Sequence, residues 1–394
     1  MKILVTGGGT GGHITPVLAV AHELKQLRPE LHITYVGQTG DSLGDIPEHD
    51  ENIDQVVTVR AGKLRRYHGE GWKQLLDVVT LYKNLRDLVW VVVGIWQSFW
   101  LLGKLRPDII FTRGSYVSVP VCLAAALRGI AYITHDSDAI PSMSNRVIAR
   151  WAKVHAVALP KEVYTTYPSG KTVTVGVPIS HNFYKVPLQQ QQQWRKQLGL
   201  SASGKVLFAT GGGRGADRVN KAVMGSAPEL LARYTDLVIV HVTGRDLEDG
   251  VRQSYKQMLP HDQQSRVIVK GFVTNLYQYS GVADVVITRA GGSSMAEFAT
   301  QAKACVVIPN PKLTGGHQLK NAKVLSDRKA IRLVSEDKLI QDPRALMPTL
   351  TELFDHPDRA KALGAKLFEL AQPNAAHLLA MLLLELAEGK PTTL

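Results

Sequence analysis

Four short segments of this chain, and a histidine beside the first, carry residue types that could do chemistry. GGGTGG, residues 7 to 12, matches G-x-G-x-x-G through Gly7, Gly9 and Gly12. Such a loop gives a tight turn, a close backbone approach and a helix N-terminus for phosphate. His13 follows it directly. An unperturbed imidazole titrates at about 6.5, so His13 is either a general base or a helix-terminal histidine that only packs. TGGGRGAD repeats the glycine geometry, with Arg214 as an added cation suited to phosphate or simply to solvent. In RAGGSSMAEFA, Ser294 and Glu297 have capping-box spacing, so Glu297 either closes a helix start or is held for ribose hydroxyls. NPKLTGGHQLKNA places Gln318 and Asn321 on adjacent turns of one helix face, in a site or in solvent.

The elements that must position these residues are legible from the apolar pattern. Ile3 to Val5 reads as a strand, Pro16 to Leu27 as a helix and HITYVG as the next strand. Short apolar runs follow at QVVTV, DIIFT, AYIT and VHAVAL, most of them separated by helical segments. This alternation predicts a parallel α/β sheet. PLQQQQQWRKQLGL then changes character, as a solvated helix or a linker. Beyond it KVLFAT, GGGRGA and DRVNKAVMGSAPELL restart strand, glycine loop and helix, and LVIVHV, RVIVKGF, ADVVIT and ACVVIP supply further strands. Two α/β halves with a boundary near residue 180 are expected.

With 394 residues the chain has room for two or three domains. Lys+Arg is 46 against Asp+Glu 34, a net charge of +12 that favours anionic partners. No RNA-binding signature or zinc-finger spacing accompanies it, so nucleic acid is not expected. Two distant cysteines, Cys122 and Cys305, point to a reducing compartment and to no metal site. MKILVTGGG lacks the apolar region and cleavage site of a signal peptide. Dinucleotide binding at the first loop wants an acidic residue ending the second strand. That strand ends Val36-Gly37-Gln38, with Asp41 late, which argues against it.

DLVWVVVGIWQSFWLLGKLRPD, residues 87 to 108, contains about 15 mostly apolar positions, short of the roughly 20 that span a bilayer. Gly94, Gln97 and Ser98 interrupt it. It reads as a buried core helix or as a helix lying in a membrane surface. Trp90, Trp96 and Trp100 suit the interfacial zone. Lys63, Arg65, Arg66, Lys73, Lys83, Arg86, Lys104 and Arg106 could meet anionic headgroups.

Taken in order, GGGTGGHITP, GSYVS, GGSSMAE and GGHQLKNA resemble the MurG family over nearly the whole chain. The resemblance implies an α/β GT-B fold, two Rossmann-like domains facing across a cleft. It implies an N-terminal acceptor and membrane-docking domain over 1–180, a UDP-sugar-binding domain over 181–375, and a C-terminal helix, 376–394, returning to the first. The implied reaction is inverting transfer of N-acetylglucosamine from UDP-N-acetylglucosamine to the C4 hydroxyl of the muramoyl sugar of lipid I, giving lipid II in peptidoglycan synthesis. A GT-B enzyme using another lipid acceptor or UDP-sugar is the alternative. No cofactor or metal is implied. The implied partners are the nucleotide sugar, a polyprenyl-pyrophosphate-linked muramoyl-pentapeptide and an anionic membrane surface, at the cytoplasmic face of the cell membrane.

On this sequence the resemblance makes His13 the base. Thr10, Gly11, Gly12, Gly212, Gly213, Arg214, Val273, Ala290, Gly291, Gly292, Ser293, Ser294, Glu297 and Gln318 fall on the donor side. Arg113, Gly114, Ser115, Tyr116, His135 and Asp138 fall on the acceptor side, and Trp90, Trp96, Trp100, Arg86 and Lys104 at the membrane. Departures from the family pattern are Asp138 for an asparagine, Ser180 for an arginine, Gly213 for a serine, and Arg113-Gly114-Ser115 ahead of Tyr116. Arg113 and Arg214 are expected to compensate in part for the cation lost at Ser180.

Overall fold

A computed structural model describes residues 1–9, 11–63, 78–212, 215–342 and 344–390. The chain forms two compact units. The first comprises Met1–Ser180, Lys312–His317 and Gln372–Leu394; the second comprises His181–Pro311 and Gln318–Ala371.

The first unit is built on seven strands: β1 (Lys2–Thr6), β2 (His32–Gln38), β3 (Gln55–Val59), β4 (Ile109–Thr112), β5 (Tyr132–Asp136), β6 (Val154–Val157) and β7 (Thr172–Thr174). They pair in parallel in the order β3-β2-β1-β4-β5-β6-β7. Strand alternation sends Ile3 and Val5 to one face and Leu4 to the other. On the Ile3 side lie the first helix, Gly11–Leu27, and the last, Ala375–Ala387, through Val17, Val20, Leu24, Leu379, Leu382 and Leu383. Arg28 with Glu388 at 2.7 Å, and His377 with Glu23 at 3.1 Å, tie these two helices at their rims. On the Leu4 side pack the helices Val78–Leu105 and Ser118–Arg128, through Leu102, Val121 and Cys122.

The Val78–Leu105 helix differs from the reading of residues 88 to 102 as a short, interrupted segment. It runs 28 residues, and its Thr80–Leu105 stretch, of mean hydropathy 1.5, is long and apolar enough to cross a membrane by length and composition. The supposed interruptions are its inward face. A Cβ on Gly94 would overlap the Arg60 carbonyl, Ser98 is fully buried, and Asp87 is buried beside Arg86. Gln97 Oε1 accepts the Arg60 N–H at 2.9 Å. The outward face carries Leu85, Leu88, Val89, Val92, Trp96 and Trp100, with Trp96 66% and Trp100 61% exposed. Trp90 is half-buried under the Arg60 guanidinium, 4.0 Å from its ring centroid. The helix thus turns Gly94, Ser98 and Asp87 inward together with Leu102, and leaves an apolar stripe on its exposed face. Arg65, Arg66 and Lys73 lie outside the described residues.

The second unit repeats the architecture with β8 (Val206–Thr210), β9 (Val238–Val242), β10 (Val267–Lys270), β11 (Val285–Thr288), β12 (Ala304–Val307) and β13 (Arg332–Leu333). Their parallel order is β10-β9-β8-β11-β12-β13. The glutamine tract is an ordered helix, Leu188–Gln197, anchored by buried Trp194 and Arg195. The Arg195 guanidinium donates to the carbonyls of Ser201 and Gly204, which explains why so polar a segment is held.

Candidate active site

In each sheet the strand order reverses beside the first strand of its unit. Ligands of open parallel sheets bind at such a switch point, outside the carboxyl ends of the strands. In the first unit Thr6 pairs with Thr112 and Thr112 with Thr134. The loops after β1, β4 and β5 are thereby brought side by side, and with them His13, Arg113 and Asp138.

The first glycine loop is largely satisfied by the protein itself. Gly9, at φ 79°, donates its N–H to Asp41 Oδ2 at 2.7 Å. Leu43 N–H donates to the other oxygen of Asp41 at 3.2 Å. A Cβ on Gly9 would meet the Tyr116 ring at 2.5 Å, and the Tyr116 hydroxyl donates to Gln38 Oε1. The acidic residue that a dinucleotide would want on its ribose is thus committed to the loop. Gly11 and Gly12 open the first helix, and Thr10 lies outside the described residues.

His13 stands in the first turn of that helix. Burial first, and then the Arg113 cation, lower its pKa to about 3, against an opposing pull from Asp138 and from a hydrogen bond to the Arg113 backbone. Nδ1 is buried and has no hydrogen-bonding partner among the described residues. So desolvated, the ring is held in its neutral form.

Arg113 is 5% exposed, and both Asp138 and Asp136 pull on its charge. These carboxylates belong to the same loop cluster as Arg113. Gly114, at φ 83°, packs so closely on Asn145 that a Cβ would overlap the Asn145 amide. The Gly114 carbonyl accepts from Ser142 Oγ at 3.1 Å, and Asn145 Nδ2 donates to the His135 carbonyl at 2.9 Å. Ser115 is buried 3.4 Å from Ser118 Oγ. His135 is fully buried, its Nε2 bound to the Gly176 carbonyl at 2.8 Å, so its ring ties the end of β5 to the loop after β7 and does not reach the surface. Asp138 is partly exposed.

In the second unit Thr210 pairs with Thr288, which places the loop after β8 beside the loop after β11. Gly215, at φ 73°, runs so close to the Thr243 carbonyl that a side chain there would overlap it. That carbonyl is held by Asn220 Nδ2 at 3.0 Å, and Asn220 is held by buried His241. Gly212, at φ 87°, has open space where a Cβ would stand. Gly213 and Arg214 lie outside the described residues.

After β11, Ala290 is buried and Gly291 caps the helix Gly292–Thr300 with no side-chain cap bond. The capping-box reading of Ser294 and Glu297 is thereby overturned: the helix starts earlier, so Ser294 is already inside it. Burial alone pushes the Glu297 carboxyl up to about 8. No hydrogen bond or ion pair reaches that carboxyl among the described residues. Ser293 and Ser294 are partly exposed beside it, and Val273 is partly buried against the core. Gln318 and Asn321 are buried, not solvated. Gln318 Oε1 accepts the Asn310 N–H at 2.9 Å, and Asn321 Nδ2 donates to the Ala290 carbonyl at 3.0 Å. Sequence reasoning missed the brace beneath this loop, where Glu336 bonds Arg289 at 2.5 Å and Arg218 at 2.6 Å. Nothing local to those three residues announces their meeting. Among the described residues no group of three His, Cys, Asp or Glu side chains is placed to hold a metal ion.

Comparison with known proteins accounts for both halves. Residues 3–157 match the Glycosyltransferase family 28 N-terminal domain, and residues 206–379 the family 28 C-terminal domain. A protein of Natranaerobius thermophilus, named UDP-N-acetylglucosamine–N-acetylmuramyl-(pentapeptide) pyrophosphoryl-undecaprenol N-acetylglucosamine transferase, is 30% identical over 95% of this chain and 97% of its own. The protein of that name in Moorella thermoacetica is 30% identical over 99% of this chain and 100% of its own. The crystal structure of Acinetobacter baumannii MurG superposes with a TM-score of 0.68 at 22% identity, covering 98% of this chain and 99% of that one, a likeness of fold. With two parallel-sheet α/β units, a GT-B architecture and full-length relatives of one name, the chain belongs to the MurG family of glycosyltransferases.

Proposed function

We propose that this chain transfers N-acetylglucosamine, with inversion, from UDP-N-acetylglucosamine to the C4 hydroxyl of the muramoyl sugar of a polyprenyl-pyrophosphate-linked muramoyl-pentapeptide. The product is lipid II for peptidoglycan. The observation that carries this reading is the 30% identity, across 95% of the chain, to a relative named for that reaction. The switch points supply chemistry consistent with it.

In this reading His13 takes the proton of the attacking hydroxyl. Its burial keeps it neutral at physiological pH, and its Nδ1 is buried with no hydrogen-bonding partner among the described residues. Tyr116, Gly114, Ser115 and Asp138 border the acceptor. The loops at Gly212 and Gly291 receive the nucleotide, where backbone amides and a helix N-terminus offset charge on the departing diphosphate. Glu297 binds the ribose hydroxyls: a desolvated carboxyl that no other described residue reaches is suited to two convergent hydroxyl donors. Gln318 and Asn321 shape this loop from behind.

The exposed face of the Val78–Leu105 helix docks the enzyme on an anionic membrane at the cytoplasmic side. An apolar stripe bearing Trp96 and Trp100 with Arg86 and Lys104 near its ends suits the headgroup boundary. The helix lies on the bilayer and does not cross it, because its other face is packed in the core of the first unit.

UDP release from UDP-N-acetylglucosamine with a lipid I analogue tests the reaction. The wild type turns over, and His13→Ala loses about 100- to 10,000-fold in kcat, the usual range for a lost general base. Turnover only with a different acceptor or nucleotide sugar overturns it. For the membrane, Trp96→Glu with Trp100→Glu abolishes sedimentation with anionic vesicles; retained binding overturns the docking.

A further inference from the structure

We propose that His241 is a positioning residue for the donor: acting through Asn220, it fixes the Thr243 carbonyl on which the glycine loop after β8 is seated. The proposal rests on the reading of that loop as one that receives the nucleotide.

A histidine in the middle of a sheet is out of place. β9 lies between β8 and β10, parallel to both, and reads Val238-Ile239-Val240-His241-Val242. Ile239 packs on one face of the sheet, Val240 and Val242 on the other. Alternation puts His241 on the Ile239 face, where it is fully buried. A valine or isoleucine would fill that position at less cost, because a buried polar ring needs its hydrogen bonds met merely to offset the water it gives up.

Both ring nitrogens are met. Nδ1 lies 3.0 Å from the Tyr255 hydroxyl, and Nε2 lies 3.0 Å from Asn220 Oδ1. Asn220 belongs to the helix Asp217–Arg233, into which the glycine loop leads, and Tyr255 to the helix Glu248–Met258. Asn220 Nδ2 donates to the Thr243 carbonyl at 3.0 Å. That bond fixes the amide, so Oδ1 faces the ring as an acceptor. Nε2 therefore carries the ring proton, and Nδ1 accepts from the Tyr255 hydroxyl. Burial keeps the imidazole in this neutral form. Tyr255, His241, Asn220 and the Thr243 carbonyl make one chain in which each donor meets one acceptor.

The chain ends beneath the glycine loop. Thr243 N–H donates to the Lys270 carbonyl at 2.9 Å and Gly244 N–H to the Gly271 carbonyl at 3.0 Å, which ties the end of β9 to β10. Gly215, at φ 73°, runs so close to the Thr243 carbonyl that only a residue without a Cβ fits. Its N–H donates to the Gly212 carbonyl at 2.8 Å and closes the turn. Gly212 N–H donates to Thr210 Oγ1 at 3.2 Å, and the space where its Cβ would stand is open. The Thr243 carbonyl is thus the floor of the turn. Backbone amides stabilise a diphosphate only when aimed in advance, and about 1 Å of misplacement can cost on the order of 100-fold. Holding that floor is what the histidine does that a valine could not.

The test uses the full chain with UDP as the probe. His241→Leu combined with Tyr255→Phe removes the ring and the hydroxyl it would strand, and puts apolar groups in place of both, which costs little stability. In this double variant UDP should bind about tenfold more weakly by calorimetric titration. KM for UDP-N-acetylglucosamine should rise to match, with kcat at saturating donor within about threefold of wild type. Asn220→Ala takes away only the amide and should show the same loss. Adding it to the double variant should cost nothing further, because the ring acts only through that amide. His241→Gln keeps a donor for Asn220 and an acceptor for Tyr255, so UDP affinity should stay within about twofold. Three results overturn the proposal: unchanged UDP affinity in the double variant or in Asn220→Ala, losses that multiply on combination, or a His241→Gln as weak as the double variant. Should the double variant not fold, Asn220→Ala and His241→Gln decide. If wild type itself does not bind UDP, the reading of the loop as a nucleotide site fails. Hydrogen exchange then decides the positioning: the Gly212 and Gly215 amides should exchange at least about tenfold faster in the double variant at unchanged melting temperature, and unchanged exchange overturns it.

Discussion

The two switch points use the same backbone device and fill it in opposite ways. In the first unit the glycine loop is closed by the protein: Asp41 takes the Gly9 N–H and the Tyr116 ring covers Gly9. Charged and titratable groups crowd beside it. In the second unit the equivalent loops are left open. Among the described residues a Cβ at Gly212 or Gly291 would meet nothing within 4 Å, and no partner reaches the Glu297 carboxyl. On the proposed reading, one switch point holds the proton acceptor and the other is completed by the ligand. A glycine loop after a first strand therefore does not by itself mean phosphate. What its amides already bond decides that.

The same substitution made on both sides should break this comparison if it is wrong. Gly9→Ala forces a side chain onto φ 79° and into Tyr116. The left-handed backbone alone costs about 1–2 kcal/mol, which for a unit of this size lowers the melting temperature by several degrees. Overlap with the ring adds to it, so Gly9→Ala is expected to melt first and lose activity through folding. Gly291→Ala sits at φ −76° in open space. Its melting temperature should stay within about a degree, while UDP affinity drops because the methyl occupies room left for the ligand. Calorimetry and UDP titration of both variants settle it. Equal melting shifts would sink the contrast.

Much of this was legible in the sequence, for a physical reason that also marks where legibility stops. Strand, glycine loop and helix are local signals, so both halves and their loops could be placed from spacing alone. The short strands β7 and β13 escaped because neither offers enough apolar length. Ser294 and Glu297 show a subtler failure. Their spacing is that of a cap, but a cap depends on where the helix begins, and Gly291 begins it earlier. The apolar helix failed differently. Gly94, Gln97 and Ser98 read as interruptions of a hydrophobic run, whereas they belong to the face that packs, and no one-dimensional pattern says which face turns inward. The partners of Arg113, Asp41 and Glu336 are set by strand order and by loops distant in sequence, so only the assembled sheet reveals them.

A second, smaller effect sharpens the donor side. If Glu297 accepts from the ribose, Glu297→Ala removes hydrogen bonds to a charged acceptor, each worth about 1.5–3 kcal/mol. KM for UDP-N-acetylglucosamine should rise at least tenfold while kcat with saturating donor changes less. A loss of kcat with unchanged KM would instead place Glu297 in the chemical step and erase the division of labour between the two switch points.

The smallest effect is the most diagnostic, because it reads the desolvated carboxyl directly. In the free enzyme burial holds the Glu297 pKa at about 8, so at pH 7 the group is mostly protonated. Ribose hydroxyls donate best to the ionised form, and binding must then expel a proton. Affinity for UDP should rise with pH through the 7 to 9 window and level off above it, where the free group is already ionised. The sign is opposite for a site that binds through the protonated acid, where affinity falls over the same window. Calorimetric titration in buffers of different ionisation enthalpy counts the protons, with release of nearly one per UDP at pH 7 expected. Glu297→Gln should remove both the slope and the proton release. His13→Ala should leave both intact, since its group belongs to the other switch point and is already neutral throughout this range.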